Sequence, residues 1–298
     1  MKQIFLMSLL LGGAALTSCT SEIEPAIQPA EEQTVNISVG ISSEMQARTF
    51  SETTDLEDLR LNLIISYDNV VVYSEQVDGW DGTSYDFDAR LVTNVEYAVA
   101  AWADYGDDYY TITKEVGSAP KVDLVSDEIV GSDMNSDAFF AIDDVTFTDS
   151  EATLTMVLTR PFGLVLVNTN DYETPSIANA GITAYESVGN FTVPTSLSLL
   201  DGTVSDVKEI ITTGYCSGSQ LSFDYIFAED ETSINAFKFA YFEEDGSLLA
   251  EYDFNNIPVR RNYITSITGS ILTESADLTV EINPEWEIPS NSATAGNE

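Results

Sequence analysis

Histidine is absent from the 298-residue sequence. That excludes Ser-His-Asp and Cys-His nucleophile systems, histidine metal sites and imidazole acid–base chemistry. Cations are scarce: 11 Lys and Arg stand against 50 Asp and Glu, a formal net charge of −39. Such a surface repels nucleic-acid phosphates and anionic lipid headgroups, so no nucleic-acid partner is expected. Its plain reading is a solvated, self-repelling exterior. No stretch of 12 or more residues carries a clean helical period. No catalytic motif is recognisable, so the chain is read as a non-enzyme. Paired carboxylates leave a glycosidase-type hydrolase as the one enzymatic reading open to the composition.

What the sequence does contain is apolar and aromatic: 44% hydrophobic and 10% aromatic residues. That suffices for a sizeable core and for two domains of ordinary size. The N-terminus, MKQIFLMSLLLGGAALTS, has Lys2 as a minimal positive region and an apolar run from Ile4 to Leu11. Small residues follow. This is the pattern of a secretory signal peptide over residues 1–18, too short to span a membrane. Leu16-Thr17-Ser18-Cys19 resembles the lipobox of bacterial lipoproteins. The resemblance implies cleavage before Cys19 and lipid on that residue, which would give lasting membrane attachment. With Cys19 so used, Cys216 has no disulfide partner and reads as a small buried apolar residue. Residues 19–33 are rich in Glu and Pro and read as an acidic tether. An acidic stretch after the lipidated Cys also resembles the signal that sends Bacteroidota lipoproteins to the outer face of the outer membrane.

Beyond the tether, apolar residues alternate. Val35, Ile37, Val39 and Ile41 sit two apart, as do Leu59, Leu61, Leu63 and Ile65. The same holds for Leu154, Met156 and Leu158, for Leu221, Phe223, Tyr225 and Phe227, and for Leu278, Val280 and Ile282. Period two places these side chains on one face of a strand. Turn signals separate the runs: Asp78-Gly79, Asp81-Gly82, Tyr105-Gly106, Asp201-Gly202 and Asp245-Gly246, the last predicting a hairpin. Short helical turns are expected near Asp55–Asp58 and from Val204 to Ile210. Many short strands with regular turns predict an all-β sandwich or barrel. A boundary is expected between Phe147 and Phe162. The division adopted is an N-terminal β-sandwich over 34–155, a C-terminal one over 156–288 and a polar tail over 289–298.

The segment from Asn256 reads NIPVRRNYITSITGSILTESADLTVEINPEW. Arg261-Asn262-Tyr263 leads into an alternating strand ending in Thr268-Gly269, and a final strand ends in Pro284-Glu285-Trp286. Near the other end, the strand from Thr34 is followed by Ala47-Arg48-Thr49-Phe50 and then by the strand at Leu59. In this order the motifs resemble the fimbrillin superfamily, the lipoprotein pilins of Bacteroidota type V pili. The likeness runs from about residue 34 to 286.

That resemblance implies two tandem transthyretin-like Greek-key β-sandwich domains. It implies assembly by strand exchange: a trypsin-like protease cuts between Arg48 and Thr49, the strand Val35–Ile41 leaves, and its place at the sandwich edge is refilled. The partners it implies are other pilin subunits or a second copy of the chain, the outer membrane through lipid on Cys19, and a host or bacterial surface ligand. Arg48 is the only basic residue between Cys19 and Arg60, so an Arg-specific protease has one site there. The polar tail after Trp286 departs from a stalk pilin, which would offer a long apolar donor strand near its end. Leu278, Val280 and Ile282 either serve as that donor or close their own domain.

Two further features are weighed. Acidic clusters at Asp104–Asp108, Asp123–Asp137 and Asp143-Asp144 offer hard oxygen ligands that suit calcium, but none has EF-hand spacing. No cofactor is therefore expected, with calcium the one ion these groups could take. Trp80, Trp102, Tyr109 and Tyr110 form either a sugar-stacking surface or core. The functional expectation is a fimbrial subunit or fimbrillin-like adhesin at the cell surface. The alternative is a non-polymerising surface lipoprotein that binds glycan or protein ligands.

Overall fold

The computed structural model describes residues 32–41, 56, 58–106, 108–148, 152–172, 184–272 and 275–283. Wherever the sequence alternates, the backbone is extended. The first ten strands are β1 (Glu32–Ile41), β2 (Leu59–Tyr67), β3 (Val70–Trp80), β4 (Tyr85–Val92), β5 (Glu96–Asp104), β6 (Tyr110–Thr113), β7 (Lys121–Leu124), β8 (Glu128–Val130), β9 (Ala138–Thr146) and β10 (Thr153–Leu158). A 3-10 turn, Met134–Ser136, precedes β9. The other ten are β11 (Phe162–Thr169), β12 (Ala184–Val193), β13 (Ser196–Ser198), β14 (Val204–Ser205), β15 (Lys208–Ser217), β16 (Gln220–Phe227), β17 (Ser233–Phe242), β18 (Leu248–Val259), β19 (Ile264–Ser270) and β20 (Ser275–Asn283).

Two sandwiches follow one another, as the all-β reading expects. In the first, the sheet β10-β1-β4 faces the sheet β3-β2-β5-β9. Their shared core holds Val35, Ile37, Val39, Leu61, Leu63, Phe87 and Val99. In the second, β16-β11-β19-β20 faces β18-β17-β12-β15-β8 over Val167, Phe191, Phe239, Phe254 and Ile267. β11 is buried on both faces because a third core lies on its other side. There Trp102 and Tyr110 meet edge-on at 5.4 Å, and Phe162 stacks on Phe227 at 5.1 Å. Such aromatic pairs contribute beyond their buried area.

The fifth described sheet, β14-β13-β7-β6, draws two strands from each half of the chain. β13 pairs antiparallel with β7, Leu197 opposite Val122. β8, from the first half, also adds parallel to β15 of the second, Thr213 opposite Val130. The two halves are thus joined by backbone ladders as well as by side-chain packing.

Three local expectations are resolved. The Asp245-Gly246 hairpin forms between β17 and β18: Glu243 N–H donates to Ser247 O at 2.9 Å, and Gly246 takes φ +81°. Asp78-Gly79 is not a turn between strands. It lies within β3, where Leu59 faces Trp80 and Leu61 faces Val77, so β3 carries one extra residue as a bulge. Gly79 supplies the positive φ of +70° that the bulge needs. The helical turn expected from Val204 to Ile210 is also corrected. Val204–Ser205 is β14, Asp206 takes φ +56°, and β15 starts at Lys208. Alternation within β15 decides: Ile210 is buried and Ile211 exposed.

Candidate functional site

β1 lies between two strands. It runs parallel to β10, with Ile37 opposite Leu154, Val39 opposite Met156 and Ile41 opposite Leu158. It runs antiparallel to β4, with Val35 opposite Ala89 and Ile37 opposite Phe87. The strand is therefore central in its sheet, whereas the sequence placed it at a sandwich edge. Val35, Ile37, Val39 and Ile41 all point into the first core and are buried. The intervening residues face outward, where Ser38 Oγ meets Ser84 Oγ at 2.7 Å and Asn36 Nδ2 donates to Asp88 Oδ1 at 3.4 Å. Withdrawal of β1 would leave a slot with apolar walls and two unpaired backbone rims, from β4 and β10. Another extended segment could satisfy both.

β20 is built the opposite way. Among the described residues it pairs only with β19 and forms a sheet edge. Leu278, Val280 and Ile282 are 36%, 39% and 38% exposed, although they alternate as core residues do. The segment Ala276–Ile282 has apolar residues at the same four alternate places as Val35–Ile41.

Where the halves of the chain meet, Arg160 is fully buried and grips Asp137. Nε donates to both carboxylate oxygens at 2.9 Å and Nη2 donates to Oδ2 at 2.7 Å. The guanidinium also lies 4.9 Å from the Phe139 ring centroid. Burial pushes the Asp137 carboxyl up, and the Arg160 charge and hydrogen bonds pull it back. Arg261 spans the same region: Nε donates to Ala228 O at 2.8 Å and the guanidinium lies 4.9 Å from the Phe140 ring.

Asp224, buried on β16, is pushed up to about 7, chiefly by desolvation, with Thr212 and the Ser132 backbone opposing. A carboxyl raised from 3.8 holds its proton in the folded state while the unfolded chain has lost it. The contribution to stability is full below pH 4 and is lost as pH rises through 7. Asp224→Asn is therefore expected to exceed the parent in stability at pH 8, by up to about 4 kcal/mol. The two should converge toward pH 4. Chemical denaturation across that range is the check, and parallel pH curves would refute the assignment.

With the geometry established, comparison with known proteins is direct. Residues 28–297 match the family described as a family of unknown function, DUF6562. The chain belongs to this family. No curated protein matches the sequence at a significant level. Among solved structures, a candidate polysaccharide-binding protein of Bacteroides thetaiotaomicron superposes with a TM-score of 0.52 at 13% identity, covering 84% of this chain and 97% of that one. A candidate adhesin of Bacteroides ovatus gives 0.53 at 11% identity, with 87% and 96% covered. A candidate cell adhesion protein of Bacteroides eggerthii gives 0.53 at 11%, with 86% and 97% covered. The DUF6562 chain shares their fold over nearly their whole length. The tandem-sandwich architecture implied by the fimbrillin resemblance is the one found.

The residues singled out in the sequence divide cleanly. Cys19, Arg48 and Thr49 lie outside the described residues, as do the signal segment and Trp286. Trp80, Trp102, Tyr109 and Tyr110 are all buried, which makes them core and not a sugar-stacking surface. Trp102 Nε1 donates to Asp104 Oδ2 at 2.6 Å, and Tyr109 Oη donates to Asp133. Members of the acidic clusters are thereby occupied within the fold. Among the described residues, no group of three or more His, Cys, Asp or Glu is placed to hold a metal ion. The Arg160–Asp137 pair gave no signal in the sequence: partners 23 residues apart in unlike segments share no periodicity.

Proposed function

We propose that this DUF6562 chain is a cell-surface lipoprotein of the fimbrial-subunit or adhesin kind, assembled by strand exchange. One observation carries the reading: β1 is the central strand of its sheet, and its four apolar side chains fill the first core. A segment so placed stabilises strongly yet belongs to the end of the chain, so one cut would make it replaceable. Arg48 lies between Ile41, where β1 ends, and Leu59, where β2 begins. Cleavage between Arg48 and Thr49 would sever β1 from the rest of the fold. β20 supports the other half of the exchange, being an edge strand with the apolar register of β1. The partner is then another pilin subunit or a second copy of this chain. The names of the neighbours with this fold, a candidate adhesin and a candidate cell adhesion protein, support the same reading.

In this account lipid on Cys19 anchors the chain in the outer membrane, and residues 19–33 lead to the first sandwich. The chain leaves the first sandwich and enters the second across Thr159–Pro161. The role is binding and assembly, without catalysis. A second reading also has support: β20 is hydrogen-bonded to β19 within its own sheet, which suits a non-polymerising surface lipoprotein.

Limited digestion with an Arg-specific protease separates the two. Cleavage after Arg48, read by N-terminal sequencing, should yield SDS-resistant ladders, and Arg48→Ala should stay intact and monomeric. A cut protein that remains monomeric would overturn strand exchange and leave the second reading.

A further inference from the structure

On the outer face of the first sandwich, away from the β1 slot, lies a cavity of about 380 Å³. It is lined by Arg60, Gln76, Thr111, Ile112 and Lys114. Its size is at the lower end of the range for ligand pockets, roughly 300–1,000 Å³. Its charge is the reverse of the protein's. Arg60 is neutralised locally, with Nε and Nη2 each 3.0 Å from a carboxylate oxygen of Asp104. Asp104 itself is buried and further held by Trp102 Nε1 and by Gly106 N–H at 3.1 Å.

Lys114 has no carboxylate in direct contact among the described residues, although Asp104, Asp78 and Glu115 act on it from further off. Its Nζ donates to the amide oxygens of Asn62 and Gln76, and no carboxylate pairs with it among the described residues. Acids outnumber bases nearly five to one in this chain, so a half-buried ammonium held only by neutral amides is notable. Burial, and then Arg60, lower its proton affinity, with Asp104, Asp78 and Glu115 opposing. Asn62 lies beneath the lining residues: its side chain is 0% exposed, its Oδ1 accepts from Lys114, and its Nδ2 has no hydrogen-bond partner among the described residues. Buried polar groups without partners are costly and uncommon.

We propose that this cavity is a binding site for a carboxylate-bearing sugar, a uronic acid residue of a polysaccharide. One cation with no carboxylate in contact matches one carboxylate. An ammonium has three donors, and two are used by the amides. Thr111 offers a hydroxyl and Gln76, whose Nε2 also donates to Asp78 Oδ1 at 2.7 Å, its second amide hydrogen for ring hydroxyls, and Ile112 offers an apolar surface for the ring face. A phosphate dianion carries more charge than one ammonium offsets, and Arg60 is already engaged by Asp104. The site is independent of β1, so this inference goes beyond strand exchange and survives its failure.

The test is an NMR titration of the full secreted chain, without lipid, using sodium D-glucuronate, sodium D-galacturonate, D-galactose and inorganic phosphate as probes. A uronate should shift the amide signals of Arg60, Asn62, Gln76 and Lys114, with millimolar affinity that weakens as salt rises. Galactose and phosphate should bind at least about tenfold more weakly. Lys114→Met should reduce uronate affinity by a similar factor while the fold, checked by circular dichroism, is kept. If that variant misfolds, Lys114→Gln, which keeps polar contacts to Asn62 and Gln76, takes its place. Three results would each overturn the proposal: no shift with either uronate, equal binding of galactose or phosphate, or uronate binding unchanged by loss of the Lys114 charge.

Discussion

Ile37→Asp is expected to unseat β1 and abolish the folding transition of the first sandwich. Ile37 is fully buried between Phe87 on β4 and Leu154 on β10. Losing its side chain from the core removes roughly 2–3 kcal/mol. Placing a carboxylate there without a partner costs several kcal/mol more. The sum rivals the whole stability of an ordinary domain, about 5–15 kcal/mol. Ser38→Asn, one residue on, points outward beside Ser84 and opposite Asp86 and should shift stability by less than about 0.5 kcal/mol. Thermal melts of the pair, with dye binding to exposed apolar surface, make the contrast measurable. A peptide of residues 32–41 added to the Ile37→Asp protein should fill the slot and restore the transition. Equal melts for the two variants would remove the slot from the account.

Arg160→Leu should cost nearly as much, by a different route. The substitution leaves Asp137 buried with no counter-charge, a loss of about 3–5 kcal/mol for pairs of this kind. Asp137 is already pushed up by burial, and without Arg160 it rises further. A raised folded value means that stability is retained below the ordinary carboxylate value of 3.8 and lost as pH rises. The deficit of Arg160→Leu should therefore be small near pH 4 and large at pH 8. Asp137→Leu combined with Arg160→Leu should recover most of the loss, because apolar replacement of both partners leaves no orphaned charge. Denaturation of the single and double variants at both pH values is the measurement. A double variant as unstable as Arg160→Leu alone would show that packing and not charge is at stake.

How far the sequence foretells this molecule depends on the range of the interaction. The strands at Val35, Leu59, Leu221 and Leu278 were legible because period two is local. So was the Asp245-Gly246 hairpin, where turn chemistry and flanking strands agree. Val204 to Ile210 misled because apolar residues at Val204, Val207 and Ile210 mimic a helical stripe. The strand pairing that overrides it comes from β12 and β13 just upstream and from β8 in the other half of the chain. The central place of β1 was invisible for the same reason: its parallel partner β10 lies more than a hundred residues downstream. Lys114 gave no signal either, since a lone lysine reads as a solvated cation until Asn62 and Gln76 are seen around it. The buried Trp102 and Tyr110 show the converse. Aromatics beside acidic turns suggest a sugar platform, but the third core beneath β11 claims them.

The sheet shared by the two halves has a consequence for how the chain must be made. Lys121–Leu124 has β6 on one side but lacks its other neighbour until Ser196–Ser198 has arrived, and Glu128–Val130 waits for the segment up to Thr213. A chain threaded across a membrane from its N-terminus would thus present several orphan strands before their mates emerge. Folding dominated by such distant pairings is slow, and the waiting edges are prone to stick to one another. A net charge of −39 sets like-charged chains apart at that stage as it does after folding.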